Sequence, residues 1–170
     1  MKQDNSGRVI PVGFLQGSSG RKAVVAREDW PLLAIAASDG LRPIQLQKSL
    51  FLLGQRFPEL ATTGFYEFRA VGGGDFCEQI YVDAEALAKK GLVAVRYPEG
   101  AGSRQYRLTP AGVKTAKRLE EHVRPAISKS LRKLVAWVNT RTMDQLFRTS
   151  TDTTAAVRPD PDTRRTARPH

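Results

Sequence analysis

One cysteine, two histidines and the lack of any long apolar run set the first limits on this chain of 170 residues. Cys77 has no partner for an internal disulfide, and His122 with His170 cannot build a zinc cluster. Without about 18 consecutive apolar residues, no membrane-spanning helix is expected. The N-terminus is polar, with glycine and serine, rather than a basic stretch leading into an apolar core. No export signal is therefore expected, and the chain reads as a soluble cytoplasmic protein. No spacing sets Cys77 or a serine beside His122 as nucleophile and base. The carboxylates Asp75, Glu78, Asp83 and Glu85 follow a helix surface rather than a metal-binding loop. Catalysis is not expected, and neither is a cofactor.

Positive charge is what the chain has in excess, with 27 Lys and Arg against 17 Asp and Glu and a formal net charge of +10. Such an excess points to an anionic partner, most simply nucleic acid, otherwise an acidic protein or a membrane surface. The charge is uneven along the chain. Residues 1–27 carry five basic and one acidic side chains, and residues 28–112 carry nine and ten. Residues 113–148 carry nine and three, and residues 149–170 carry four and three. The positive field comes from the flanks rather than from the central segment.

The periodicity gives four regions. Residues 1–27 have no sustained period and read as a flexible basic arm, with Val9 to Leu15 as a short strand or anchor. The arm is either a solvated tail or a contact to DNA phosphates or the minor groove. Residues 28–112 form the folded domain. Its first helix is expected from about Asp29 to Ser38, with Pro31 in the first turn and Trp30, Leu33, Ala34 and Ala37 on one face. Asp39-Gly40 ends it. A second helix from Pro43 to about Arg56 buries Leu46, Leu50 and Leu53, with Gln45 and Lys48 off that ridge. The strand-like Phe65-Tyr-Glu-Phe68 follows and is expected to pair with a later hairpin. The glycines at 72–74 meet neither phosphate-loop nor dinucleotide spacing and read as a turn into a third helix, capped by Asp75.

That third helix, Asp75 to Lys90, carries the stripe Phe76, Ile80, Ala84 and Leu87, and Gly91 closes it. Cys77 lies near its start, either exposed at the positive helix end or buried beside Phe76. Two β-prone runs, 92–96 and 104–108, joined by a Gly/Pro-rich connection, read as a basic hairpin. Its alternation puts Arg104 and Tyr106 on one side and Gln105 and Arg107 on the other. Thr109 and Pro110 then open another helix. Residues 113–148 are helical with a break at Pro125. Ile127, Leu131, Leu134, Val135 and Val138 form an apolar stripe, and Lys129, Arg132 and Lys133 a basic cluster. Residues 149–170 have no period and read as disordered.

The string Leu87-Ala-Lys-Lys-Gly-Leu-Val93, the basic hairpin, and Tyr106-Arg-Leu-Thr-Pro-Ala-Gly112 together resemble the recognition-helix end, wing and wing-exit helix of bacterial winged helix-turn-helix regulators of the MarR and PadR kind. Leu46 to Leu53 also resembles the second helix of small bacterial winged-helix proteins, some of them antitoxin-like or adaptor modules. The segment 57–74 departs from the regulator pattern, which joins these helices by a short turn. The resemblance implies an α+β, mostly α fold: a winged helix-turn-helix with a small antiparallel β-sheet and extended C-terminal helices.

It also implies a transcriptional regulator on double-stranded DNA. Candidate contacts are Gln79, Lys89 and Lys90 on the third helix, Arg96, Arg104 and Arg107 on the hairpin, and Lys129, Arg132 and Lys133 on the last helix. The C-terminal stripe then either forms a homodimer seam or packs on its own domain. The alternative is a protein-interaction module, because four acidic residues on the third helix repel phosphates.

Overall fold

The computed structural model describes residues 25–71 and 74–148. The expectations for residues 1–24 and for the tail 149–170 lie outside the described residues. What is described is mostly helical, with two small antiparallel β-hairpins.

A 3-10 turn, Arg27–Asp29, leads into α1, Trp30–Ala36, with Pro31 in its first turn. Trp30, Leu32, Leu33, Ala34 and Ile35 are all buried, more than the single expected face. A helix apolar on so many sides belongs at the centre of a fold, and α1 packs on α2, α3, α4 and β4. Helix α2, Pro43–Arg56, has the expected bounds and buries Leu46, Leu50 and Leu53. Lys48 departs from expectation: it is buried, with Nζ 5.2 Å from the centre of the Phe51 ring. Burial pushes its ammonium pKa down, opposed by nearby Asp75.

The segment between α2 and α3 differs most from the sequence reading. After a 3-10 stretch, Pro58–Thr63, residues 65–68 form no strand. Phe65 and Tyr66 are both buried, which an alternating strand with one face on the core does not allow. Phe65 meets Trp30 edge-on at 5.4 Å, and Phe68 meets Phe51 at 5.3 Å. The strands come later: β1, Arg69–Val71, pairs antiparallel with β2, Gly74–Phe76. Gly74 therefore lies in a strand rather than in a turn into a helix. Asp75 lies in β2 and caps no helix, and α3 begins only at Gln79 and ends at Lys89. Ile80, Ala84 and Leu87 of the expected stripe are buried, whereas Phe76 is exposed.

Cys77, between β2 and α3, is buried. Gln47 of α2, also buried, holds it by the backbone. In the amide orientation that satisfies both groups, Gln47 Nε2 donates to the Cys77 carbonyl at 3.2 Å, and its Oε1 accepts from the Cys77 N–H at 2.5 Å. This two-bond clamp fixes where α3 starts relative to α2. Truncation in Gln47→Ala leaves two buried backbone groups unpaired and should cost about 2–3 kcal/mol, read as a lower urea midpoint with an unchanged slope. A loss under about 0.5 kcal/mol would show that the clamp is not formed.

After Gly91 the chain turns into β3, Val93–Arg96, which pairs with β4, Gln105–Leu108, in the expected hairpin. The strand that adds to it is not 65–68 but Leu41 alone, which exchanges both backbone hydrogen bonds with Tyr106 at 3.0 and 2.8 Å. Thr109 caps α4, Pro110–Glu120, by accepting from the Gly112 N–H at 3.1 Å. Pro125 opens α5, Pro125–Asn139. A further helical turn at 143–148 buries Leu146. Ile127, Leu131, Val135 and Val138 of the stripe are buried, and α5 lies along α2. At about 1.5–3 kcal/mol for each large aliphatic side chain removed from water, this packing commits the stripe to its own domain. A dimer seam built from these residues would have to strip α5 off α2.

Candidate functional site

Helix α3 and the β3–β4 hairpin are joined by one ion pair. Arg104 Nη1 lies 2.6 Å from Glu85 Oε1, and the same guanidinium sits 5.5 Å from the centre of the Tyr106 ring. The alternation read from sequence holds. Arg104 and Tyr106 face α3 and the core, whereas Gln105 and Arg107 line a groove on the other side. Tyr106 is fully buried, and its hydroxyl has no hydrogen-bond partner among the described residues. Burial pushes the Tyr106 and Tyr81 hydroxyl pKa values up.

On its inner side α3 is held by Asp83. Its carboxylate accepts from Tyr66 Oη at 2.7 Å, Gln79 Nε2 at 2.8 Å and Arg27 Nε at 3.2 Å. Burial and the bond to Asp83 raise the Tyr66 pKa far above that of an ordinary tyrosine. Asp83 is a buried anchor, not the exposed acid that its place off the apolar stripe suggests. Its position three residues after Ile80 and one before Ala84 puts it on the flank of the buried face, the one signal the sequence offers. No signal marks its partners, because Tyr66 and Arg27 come from distant segments.

The nine candidate contacts fall into two groups. Gln79 is spent on Asp83. Lys89 and Lys90 end α3 and are exposed, with Lys90 Nζ 3.6 Å from Glu28. Arg96 is exposed at the end of β3, opposite Gln105. Arg104 is bound to Glu85, and Arg107 donates through Nε to the Asp39 carbonyl beyond the end of α1. On α5, Lys129 and Lys133 are exposed and Arg132 pairs with Glu120, which also accepts from Ser128 at 2.5 Å. Of the cations named, only Lys89, Arg96, Lys129 and Lys133 have no acceptor among the described residues.

The acidic character expected of α3 largely disappears on folding. Asp75 is in β2, Asp83 points inward and Glu85 is paired, which leaves Glu78. What replaces it is apolar rather than basic. Val82 is 53% exposed on α3, Phe76 is 39% exposed with its ring 5.7 Å from Tyr81, and Val71 is 59% exposed in the neighbouring hairpin. Val71 and Phe76 border one open cavity of about 680 Å³ that reaches Cys77 and Gln79.

Two more cavities adjoin across Ala36, Leu108 and Val113. One, of about 980 Å³, runs along the outer face of the hairpin past Arg96, Tyr97 and Arg107. The other, of about 200 Å³, lies between α1, α4 and α5 under Lys117, Glu120 and Arg132. Among the described residues no group of three or more His, Cys, Asp or Glu side chains is placed to hold a metal ion, and no helix is long and apolar enough to cross a membrane. No protein-family model matches the chain, and no curated protein matches it.

Proposed function

We propose that the chain is a winged-helix module whose α3 face binds another polypeptide. The winged-helix reading rests on chain order, with α1, the Leu41 rung, α2, α3 and the β3–β4 hairpin in succession. Fold alone does not assign a ligand, so the side chains on α3 carry the argument. The single observation behind it is Val82, half exposed on the helix that would otherwise enter a DNA groove, with Phe76 exposed ahead of that helix and in ring contact with its Tyr81. A groove-reading helix presents hydrogen-bonding side chains to base edges. This one presents valine and aromatic surface, as protein interfaces do at their centre.

DNA binding as a transcriptional regulator is the second reading. It is favoured by the net charge of +10 and by Lys89, Arg96, Lys129 and Lys133, exposed and without acceptors among the described residues. Two measurements separate the readings. A photo-crosslinking phenylalanine analogue at position 82, in cells that naturally make the chain, should give discrete protein adducts that Phe76→Asp abolishes. A mixed-sequence DNA duplex should bind weakly and change affinity by less than about tenfold between 50 and 200 mM salt. A regulator with six to ten phosphate contacts loses about 10³ to 10⁵ over that range. A loss of that size, reduced by Arg96→Glu with Lys89→Glu, together with no protein adduct at 82, would overturn the first reading in favour of the second.

A further inference from the structure

We infer a second interaction surface, away from α3: the trough formed by the two adjoining cavities takes an acidic, amphipathic segment of a partner polypeptide. No residue of α3 lines either cavity, so the inference goes beyond the reading above and stands whatever α3 meets. The floor is apolar where the two cavities meet. Ala36 and Leu108 form it, Val113, 40% exposed, is a ridge shared by both cavities, and Leu33 continues it in the smaller one, while Ser38, Asp39, Tyr97 and Gln105 make the larger one more polar. The rim is cationic. Arg96 and Arg107 stand at the hairpin end, and Lys117 and Arg132 stand at the α4–α5 end.

The rim's acids do not cancel its cations. Glu120 accepts from Ser128 and Arg132, while Arg107 is turned onto the main-chain carbonyl of Asp39, so that Arg96 and Arg107 stand against one carboxylate, Asp39, and Lys117 and Arg132 against one, Glu120. Arg96 and Lys117 have no carboxylate partner among the described residues, which leaves a positive charge at each end of an apolar floor. An occupant complementary to both has apolar side chains on one face and carboxylates flanking them.

Charge and floor together select the class of occupant. A nucleic-acid backbone matches the rim but gains nothing from a floor of leucine, valine and alanine. A small carboxylate fits the 200 Å³ cavity but leaves the 980 Å³ groove beside it and the cation at its far end unused. A helical peptide of three to four turns, with apolar residues along one face and Asp or Glu at its edges, uses both ends.

The test is a display selection of random 15-residue peptides on the full chain, with anisotropy measured on the enriched sequences. Peptides combining several Asp or Glu with Leu, Ile or Phe should be enriched. Val113→Glu should weaken them tenfold or more, and Lys117→Glu several-fold, more at low salt than at high. Both positions are solvent-exposed, and circular dichroism on each variant confirms that the fold is kept. Val82→Asp on α3 should leave these peptides' affinity within twofold. Enrichment of basic or uncharged peptides, or acidic peptides that bind Val113→Glu and Lys117→Glu as well as the parent, overturns the inference, as does a selection yielding no binder. If Val82→Asp alone abolishes binding, the acidic segment belongs to the α3 face and the trough is not its site.

Discussion

Replacing Gly112 by alanine is expected to destabilise the protein by about 3 kcal/mol, at the upper end for overpacking a tight contact, and to lower the melting temperature by about 10 °C. A Cβ built on Gly112 lies 1.9 Å from the Leu92 carbonyl oxygen and 3.0 Å from its carbon. Both are backbone atoms, so no side chain can swing away. The contact is this close because two hydrogen bonds draw the cap of α4 onto the start of β3 and a third ties Gly112 to that cap. The Thr109 N–H donates to Leu92 O at 3.1 Å, Thr109 Oγ1 donates to Gly91 O at 2.6 Å, and that hydroxyl accepts from the Gly112 N–H. Relief of the clash has to separate α4 from the hairpin, and with it the ridge residue Val113 from Leu108. Calorimetry measures the loss, with Val113→Ala as the control one residue on. An alanine variant within about 0.5 kcal/mol of the parent would mean that the junction is looser than described.

Removing the Asp83 carboxylate is the second large effect. In Asp83→Ala the buried Tyr66 hydroxyl and the Gln79 amide lose their acceptor, and the expected cost is about 2–4 kcal/mol for unsatisfied buried groups. The share from Arg27 is small, because its side chain is 45% exposed and solvent screens the pair. Asp83→Asn keeps one acceptor oxygen and should lose less. Urea denaturation gives both values, and equal losses would argue against the hydrogen bonds as the cause. A pH dependence accompanies this. The Tyr66 pKa is raised in the folded state, so the proton binds more tightly there than in the unfolded chain. Its contribution is fully present below about pH 10, the ordinary tyrosine value, and is lost as pH climbs above it. Tyr66→Phe should therefore flatten the alkaline fall in stability.

Several elements follow from local sequence. Pro43 and the leucine ridge set α2, Thr109-Pro110 sets the start of α4, Pro125 sets α5, and the period-two alternation of 104–108 tells which hairpin arginine faces in. Each depends on a capping group, a fixed φ or a period, which act within a few residues. Three other features are non-local. Phe65 and Tyr66 look like a strand because aromatic residues favour strands, but Trp30 and the core below it hold both rings inside. Asp83 looks like a surface acid until Tyr66 and Arg27 arrive from elsewhere in the chain to pair with it. Arg104, one of the cations on which a DNA contact would rest, is turned onto Glu85 when the hairpin folds against α3.

The sequence by itself determined the bounds of α2, the starts of α4 and α5, the β3–β4 hairpin, and the total charge, because propensity, capping and composition belong to neighbouring residues or to no position at all. Only the tertiary structure decided which charges are left uncompensated and which apolar side chains stay in water. Those depend on partners that sequence separation hides and packing brings within a few ångströms.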